Sequence, residues 1–276
     1  PQGVTPRRLG QHFLNDRNIL RRIVDALEPA PGEVVLEIGA GKGSLTKELL
    51  ARGLTVIAVE KDPVLAKECG MRNVECGIDR WSLVEGDALE LDWPTLLDAH
   101  LAIPHSAFRI PHWKVVGNIP YNITTVLIEK ALTPPLPERI VYLVQEEVAD
   151  RVVAPPGSKT YGGLSVGVQV LCRAEKLFTV LPGSFDPPPK VRSAVLRLTP
   201  RPDPLIDPGK EAEPLRRFVT ACFSQRRKQL RNVLRAATGR SATEVTAGLT
   251  RLGIDPVARP ETLAPATFVA LLHWSR

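Results

Sequence analysis

From Pro31 onward two kinds of hydrophobic pattern alternate along the chain. Short runs dense in β-branched residues, VVLEIG from Val34 and TVIAVE from Thr55, flank SLTKELLARG, where apolar positions recur at helical spacing and Gly53 supplies a stop. A helical stretch begins near Asp62, and WSLVEGD, WKVVGN, RIVYLVQ and SAVLRLTP continue the strand-like series, with TTVLIEKAL reading as a helix after a GNIPYN turn. Strands that alternate with helices in this way predict an α/β fold with a mostly parallel sheet of about seven strands. The stretch 94–113 shows no clean period and reads as an insertion or long connection; 71–81 is likewise irregular.

A proline-rich passage, TPRPDPLIDPG from Thr199 to Gly209, then separates this part from a helical tail. The expected division is a domain over 1–200 and a small helical domain over 201–276, with the linker at about 199–210. The tail reads as three or four amphipathic helices, and Ser241 with Glu244 has the spacing of a capping box. FSQRRKQLRNVL reads as one helix with Leu230, Val233, Leu234 and Ala237 inward and Arg227, Arg231 and Arg235 in a stripe at i, i+4 and i+8.

Composition adds little until the charge is divided. With 43% hydrophobic and 24% charged residues this is an ordinary globular chain, with no run long enough for a membrane span and no signal-peptide pattern at its start. The four cysteines form no CxxC pair, so no metal site is expected and a reducing, cytoplasmic compartment fits. Residues 201–276 carry 13 Lys+Arg and 7 Asp+Glu, whereas residues 1–200 carry 23 of each, so the whole net charge of +6 lies in the last quarter. A basic end on a neutral body suggests a polyanionic partner; a solubilising surface is the plain alternative.

The candidate chemistry gathers at strand ends. Glu37-Ile38-Gly39-Ala40-Gly41-Lys42-Gly43 follows a strand and opens a helix, so Gly39 and Gly41 allow a tight turn with backbone N–H groups near a ligand. The third glycine of a dinucleotide fingerprint would fall at Ser44 or Thr46, which counts against a dehydrogenase. Glu60 ends the second strand, where a carboxylate can accept from both hydroxyls of a ribose, and Asp87 follows the third, where one can accept from an adenine amine. Glycine turn and two acids outline a nucleoside with a short zwitterionic tail, which describes S-adenosylmethionine.

The fourth strand, WKVVG, delivers Asn118 beside that ligand. If the Asn118 side-chain oxygen and the Ile119 carbonyl both accept from an exocyclic amine, the nitrogen pyramidalises and its lone pair can be aimed. Pro120 stiffens the backbone, and Tyr121 offers a face for stacking on a base that is unpaired or flipped from its helix. Phe185, in SFDPPPKVRS, could supply a second face; a core aromatic before a proline-rich bend is the other reading of it.

Together QHFLND, EIGAGKGSLT, VEKD, GDAL, GNIPYNI, QEEVADR, FDPPPKVRS and SQRRKQLRN closely resemble, in order and over nearly the whole chain, the ribosomal RNA adenine N6-dimethyltransferase family, closest to its small-subunit branch. The resemblance implies a Rossmann-like class I methyltransferase domain, a small helical C-terminal domain, and dimethylation of two adjacent adenosines in the 3′-terminal hairpin of 16S rRNA within an immature 30S subunit, by a monomer. By motif matching it also implies that His12 and Leu14 contact the cofactor with Gly39, Glu60, Asp87 and Asn118. The family often has asparagine where His12 stands and leucine where Ile119 stands. The alternatives are the macrolide-resistance branch that methylates 23S rRNA, against which the basic C-terminal helix argues, and an assembly factor whose occupancy of the subunit matters more than its chemistry.

Overall fold

The computed structural model describes residues 12–74, 80–101 and 112–276. Gln11 of the QHFLND motif, Cys76 and parts of the two irregular stretches lie outside them. The chain runs β1 (Phe13–Leu14), α1 (Arg17–Ala26), β2 (Val34–Ile38), α2 (Ser44–Ala51), β3 (Thr55–Glu60), α3 (Pro63–Val74), β4 (Trp81–Glu85), α4 (Trp93–Leu101), β5 (Trp113–Asn118), α5 (Thr124–Ala131), β6 (Arg139–Gln145) and α6 (Glu146–Val153). It continues through α7 (Gly163–Gln169), β7 (Cys172–Val180), β8 (Phe185–Asp186) and β9 (Ser193–Pro200), then the helices α8 (Ala212–Ser224), α9 (Leu230–Thr238), α10 (Ala242–Arg251) and α11 (Pro265–Ser275). α4 occupies the first half of the stretch expected to be an irregular connection. Its Trp93 ring is buried edge-on to Trp113, and its indole N–H donates to the Ala88 carbonyl, contacts that outweigh the weak period of the sequence.

Seven strands form one sheet in the order β4-β3-β2-β5-β6-β9-β7. The pairs β4–β3, β3–β2, β2–β5 and β5–β6 are parallel, and β9 runs antiparallel to β6. Six of these strands match the runs read from sequence; the seventh, β7, carries alternating partly buried charge (CRAEKLFTV) and gave no clean signal. Strand order reverses between β2 and β5, the place where open α/β sheets form a ligand crevice. There the backbones nearly touch. A Cβ built on Gly117 would lie 2.5 Å from the Ile38 carbonyl oxygen, so a side chain at this position is excluded. The register pairs Ile38 with both Val59 and Gly117, and Glu60 with Glu85, so the four strands end along one line. That alignment brings Gly39, Glu60, Asp87 and Asn118 to the same edge.

The chain divides into two compact units, one containing the described residues to Ala149 with Glu175–Thr199, the other Asp150–Ala174 with Pro200–Arg276. The second unit therefore takes α7 and its flanking chain from the middle of the sequence as well as the C-terminal helices. Its core holds Leu215, Val219, Leu230, Val233, Leu234, Leu249 and Phe268, with Phe223 stacked on Phe268 and meeting Tyr161 edge-on. The Tyr161 hydroxyl donates to the Leu263 carbonyl at 2.8 Å, which ties α7's approach to the last helices. The Ser241–Glu244 capping box forms as expected. FSQRRKQLRNVL is not one helix: α8 ends at Ser224, Gln225–Gln229 turns, and α9 begins at Leu230. The break is held by Arg226, whose guanidinium bonds Glu261 and the Lys159 carbonyl, and by Leu230 N–H donating to the Ala258 carbonyl at 2.7 Å. Ala237, expected inward, is exposed.

Candidate functional site

At the switch point a cleft opens whose walls come from β1, the turn after β2, the tips of β3 and β4, and the segment after β5. The glycine turn is built on left-handed backbone, with φ of 74° at Gly39, 55° at Gly41 and 78° at Gly43, the residue that caps α2. Its amides do not all face the cleft. Gly39 and Ala40 both donate to the Val59 carbonyl, at 2.8 and 3.2 Å, and Gly41 donates to Glu60 Oε2 at 2.8 Å. The turn thus serves first to lock β2 onto β3 and to orient Glu60.

Glu60 is 4% exposed, and its other oxygen accepts from Asp62 N–H at 2.9 Å. Each oxygen therefore uses one backbone donor and keeps a second lone pair for a hydroxyl. Asp87 accepts from Leu89 N–H at 2.9 Å through one oxygen and from Lys61 Nζ at 2.6 Å through the other. The Lys61 bond, with the Leu89 amide, holds its carboxyl below the usual range, so it stays an acceptor at neutral pH.

Glu37 escaped the sequence reading. It lies in a strand buried along its whole length and is 1% exposed, with Thr46 Oγ1 donating at 2.6 Å. Burial pushes its carboxyl up to about 8, and the nearby Glu60 charge adds to this. Among the described residues neither Glu37 nor Glu60 has a cationic partner, although both line the cleft. The available signal was a lone acid inside the otherwise apolar run VVLEI, since fully buried acids need a reason.

The N-terminal segment closes one side. β1 pairs antiparallel with β8, Leu14 opposite Phe185, and Leu14 is sunk in the core beside Leu20. The Phe13 ring fills the space a Cβ on Gly41 would need, at 3.3 Å, and Lys42 Nζ sits 4.9 Å from the ring centroid. His12 Nδ1 donates to the Pro187 carbonyl at 2.7 Å, a partner that can only accept and so fixes the proton on that nitrogen. The His12 carbonyl in turn accepts from Asn118 Nδ2 at 2.8 Å. With its amide nitrogen engaged there, Asn118 has its oxygen free for a donor in the cleft.

Beyond Asn118, the Ile119 side chain is buried while its N–H donates to the Leu143 carbonyl at 3.1 Å. The Pro120 carbonyl is already engaged, accepting from Ile123 N–H at 3.2 Å and Thr124 Oγ1 at 3.3 Å. No hydrogen bond from a described residue reaches the Ile119 carbonyl. Tyr121 opens a short 3-10 turn, half-buried, its hydroxyl 2.8 Å from Ser193 Oγ and its ring 5.9 Å from that of His12.

All the residues expected to hold the cofactor, His12, Leu14, Gly39, Gly41, Glu60, Asp87 and Asn118, line this one cleft, and so does the stretch from Asn118 to Tyr121. Phe185 does not: it is 5% exposed and packs in the core cluster, so the core reading of it describes the structure and no free face is presented. Arg231 and Arg235 lie exposed on α9, and Arg227 is exposed on the turn before it, so the three do not share one helix. None of them makes an ion pair with a described residue, whereas the adjacent Arg226 is tied to Glu261. Among the described residues no cluster could hold a metal ion, and no helix is long and apolar enough to cross a membrane.

A family profile described as ribosomal RNA adenine dimethylase matches residues 5–275. A protein of Nitratidesulfovibrio vulgaris named ribosomal RNA small subunit methyltransferase A is 42% identical over 265 residues, covering 95% of this chain and 93% of that one. One of the same name from Pseudomonas aeruginosa is 40% identical over 272 residues, covering 97% and 93%. Among solved structures, a dimethyladenosine transferase from Plasmodium falciparum superposes with a TM-score of 0.77 at 26% identity, over 94% of this chain and 96% of that one. The 23S rRNA methyltransferase ErmE superposes with a TM-score of 0.71 at 29% identity, over 95% and 98%.

Proposed function

The chain belongs to the ribosomal RNA adenine dimethylase family, and from that premise we propose that it is an S-adenosylmethionine-dependent dimethyltransferase acting on the N6 amines of two adjacent adenosines in the 3′-terminal hairpin of 16S rRNA. Its substrate is an immature 30S subunit, which it meets as a monomer in the cytoplasm. The observation that carries the reading is the Asn118–Tyr121 segment at the lip of the same cleft that holds Glu60 and Asp87. The small-subunit target, rather than the 23S target of ErmE, is supported by the identity of 40–42% to proteins named for the small subunit.

The cleft suits this cofactor on its own chemistry. Buried Glu60, without a cationic partner among the described residues, and an ionised Asp87 favour a ligand that brings hydrogen-bond donors and positive charge. Glu60 would hold the ribose hydroxyls, Asp87 the adenine amine, and the Gly39–Gly41 turn, whose missing Cβ at Gly41 makes room for the Phe13 ring, would border the tail. When bound, the cofactor supplies a methyl group made electrophilic by its sulfonium.

The chain's residues act on the other reactant. The free Asn118 oxygen and the Ile119 carbonyl accept from the target amine, drawing its lone pair out of conjugation and fixing its direction. The His12 carbonyl keeps the Asn118 amide from rotating, because a flipped amide would set its own oxygen against that carbonyl oxygen and lose the hydrogen bond. Tyr121 supports the ring of the base, with Pro120 holding the backbone behind it. No strong base is required, since the amine proton becomes acidic once the methyl has arrived. Arg227, Arg231 and Arg235 contact phosphates without reading sequence.

The test is transfer of labelled methyl to unmethylated 30S subunits, 50S subunits and naked 16S rRNA, with the modified positions mapped. Label on two adjacent 16S adenosines is expected. Label confined to 23S rRNA moves the chain to the resistance branch, and tight 30S binding without label makes it an assembly factor.

A further inference from the structure

We propose that Ser193 is a positioning residue for Tyr121, and through it for the target base; the inference rests on the function proposed above. Ser193 opens β9, opposite Gln145 of β6, and is 0% exposed. The residues after it, Ala194, Val195 and Leu196, are equally buried, so packing alone calls for an apolar side chain here. A buried hydroxyl needs a partner, and among the described residues the one it has is the Tyr121 phenol at 2.8 Å, across 72 residues of sequence.

The frame around Ser193 is stiff. The preceding Arg192 accepts Glu146 N–H at 3.0 Å through its carbonyl and pairs its side chain with the Glu146 carboxylate at 2.7 Å. Glu146 is held from its other side by Lys176 and Thr179, both at 2.8 Å. Ser193 is therefore a fixed point at the end of the sheet. Tyr121 is less constrained. It follows Pro120 in a three-residue turn, its ring is only half-buried, and its aromatic neighbour His12 lies 5.9 Å away at a tilt of 32°.

An aromatic ring supports a flat base only when its own plane is held, and the bond to Ser193 removes the rotation that Pro120 leaves open. Burial also raises the Tyr121 phenol, so the two neutral hydroxyls remain paired throughout the neutral range. Without this contact the cofactor cleft would be intact, because Ser193 does not line it. What would change is the fraction of encounters in which the amine meets the Asn118 oxygen and the Ile119 carbonyl in line.

The experiment is a double-mutant cycle of Ser193→Ala and Tyr121→Phe on the full chain. It reads single-turnover methyl transfer to unmethylated 30S subunits at saturating S-adenosylmethionine, with cofactor affinity and melting temperature measured alongside. Each single variant is expected to slow transfer by about tenfold with cofactor affinity unchanged, and the double variant to be no slower than either. Losses that multiply, or either single variant transferring at the wild-type rate, would overturn the positioning role. If the wild-type protein itself transfers nothing, the function proposed above falls and takes this inference with it.

Discussion

The cleft and the basic turn-and-helix of the second unit use charge in opposite ways. In the cleft each acid is held: Glu60 by two backbone amides, Asp87 by Lys61 and Leu89, Glu37 by Thr46 in full burial. On the turn and α9, Arg227, Arg231 and Arg235 are exposed, with no ionic partner among the described residues. Fixed groups in a low-dielectric site gain strength and direction, whereas exposed cations interact weakly and tolerate many geometries. Changes in the cleft should accordingly be large, local and insensitive to salt. Changes on α9 should be small, additive and governed by ionic strength.

The largest expected effect comes from Asn118. Asn118→Ala removes one of two acceptors for the amine and should slow transfer by about 10²–10³-fold, as loss of a preorganised polar group does elsewhere, with RNA affinity unchanged. A comparable loss in RNA binding would show that the two regions are not separable. Next is Gly117→Ala, where the new Cβ meets the Ile38 backbone oxygen at 2.5 Å, an atom that cannot yield without parting β2 from β5. A cost of about 3 kcal/mol is expected in denaturant unfolding. Gly70→Ala, a helix position with nothing within 4 Å of the added carbon, is the control and should not destabilise. Equal behaviour of the two would remove the close approach from the account of the site.

The contrast also explains what could be read before the structure was seen. The parallel sheet, the glycine turn and the places of Glu60, Asp87 and Asn118 were legible because a strand's end fixes where its last side chain goes, and four aligned strand ends make one cleft. Glu37 was hidden in plain view, since periodicity treats VVLEI as a buried strand without asking what its acid does. The roles of His12 and Ser193 depend on partners 175 and 72 residues away, Pro187 and Tyr121, which no local pattern encodes. The break at Gln225–Gln229 was equally invisible, because its causes, Glu261 and the Ala258 carbonyl, lie some thirty residues downstream. The inclusion of Asp150–Ala174 in the helical unit is of the same kind, set by the packing of Tyr161 and not by composition.

A smaller effect sharpens the cleft side. Glu37 keeps its proton in the folded state to about pH 8, while an unfolded glutamate loses it near 4.5. Between those values the folded form binds more protons than the unfolded form, so stability falls as pH rises, and the fall ends above 8. The ligand-free protein should therefore melt lower at pH 8 than at pH 5.5, by roughly 5 °C. Glu37→Gln, which mimics the neutral acid, should flatten this slope across the window. A slope that persists in the variant would assign the titration to another group.

The smallest single effects belong to the arginines, and there the comparison is most exposed to failure. If Arg231 and Arg235 contact phosphates as solvated point charges, replacing either with alanine should weaken 30S binding by no more than about tenfold at moderate salt, and should lower the slope of log affinity against log salt by about one per residue. The pair should add, because neither shares a partner with the other. Arg227, on the turn and not on the helix, should behave in the same way if contact is electrostatic, whereas a requirement for one helical stripe would leave it inert. Arg226 supplies the control, since its guanidinium holds the turn through Glu261, and its loss should show in melting as well as in binding. An arginine variant that left the salt slope unchanged but abolished transfer would mean that this surface acts with the directed geometry of the cleft, and the division of labour drawn here would have to be abandoned.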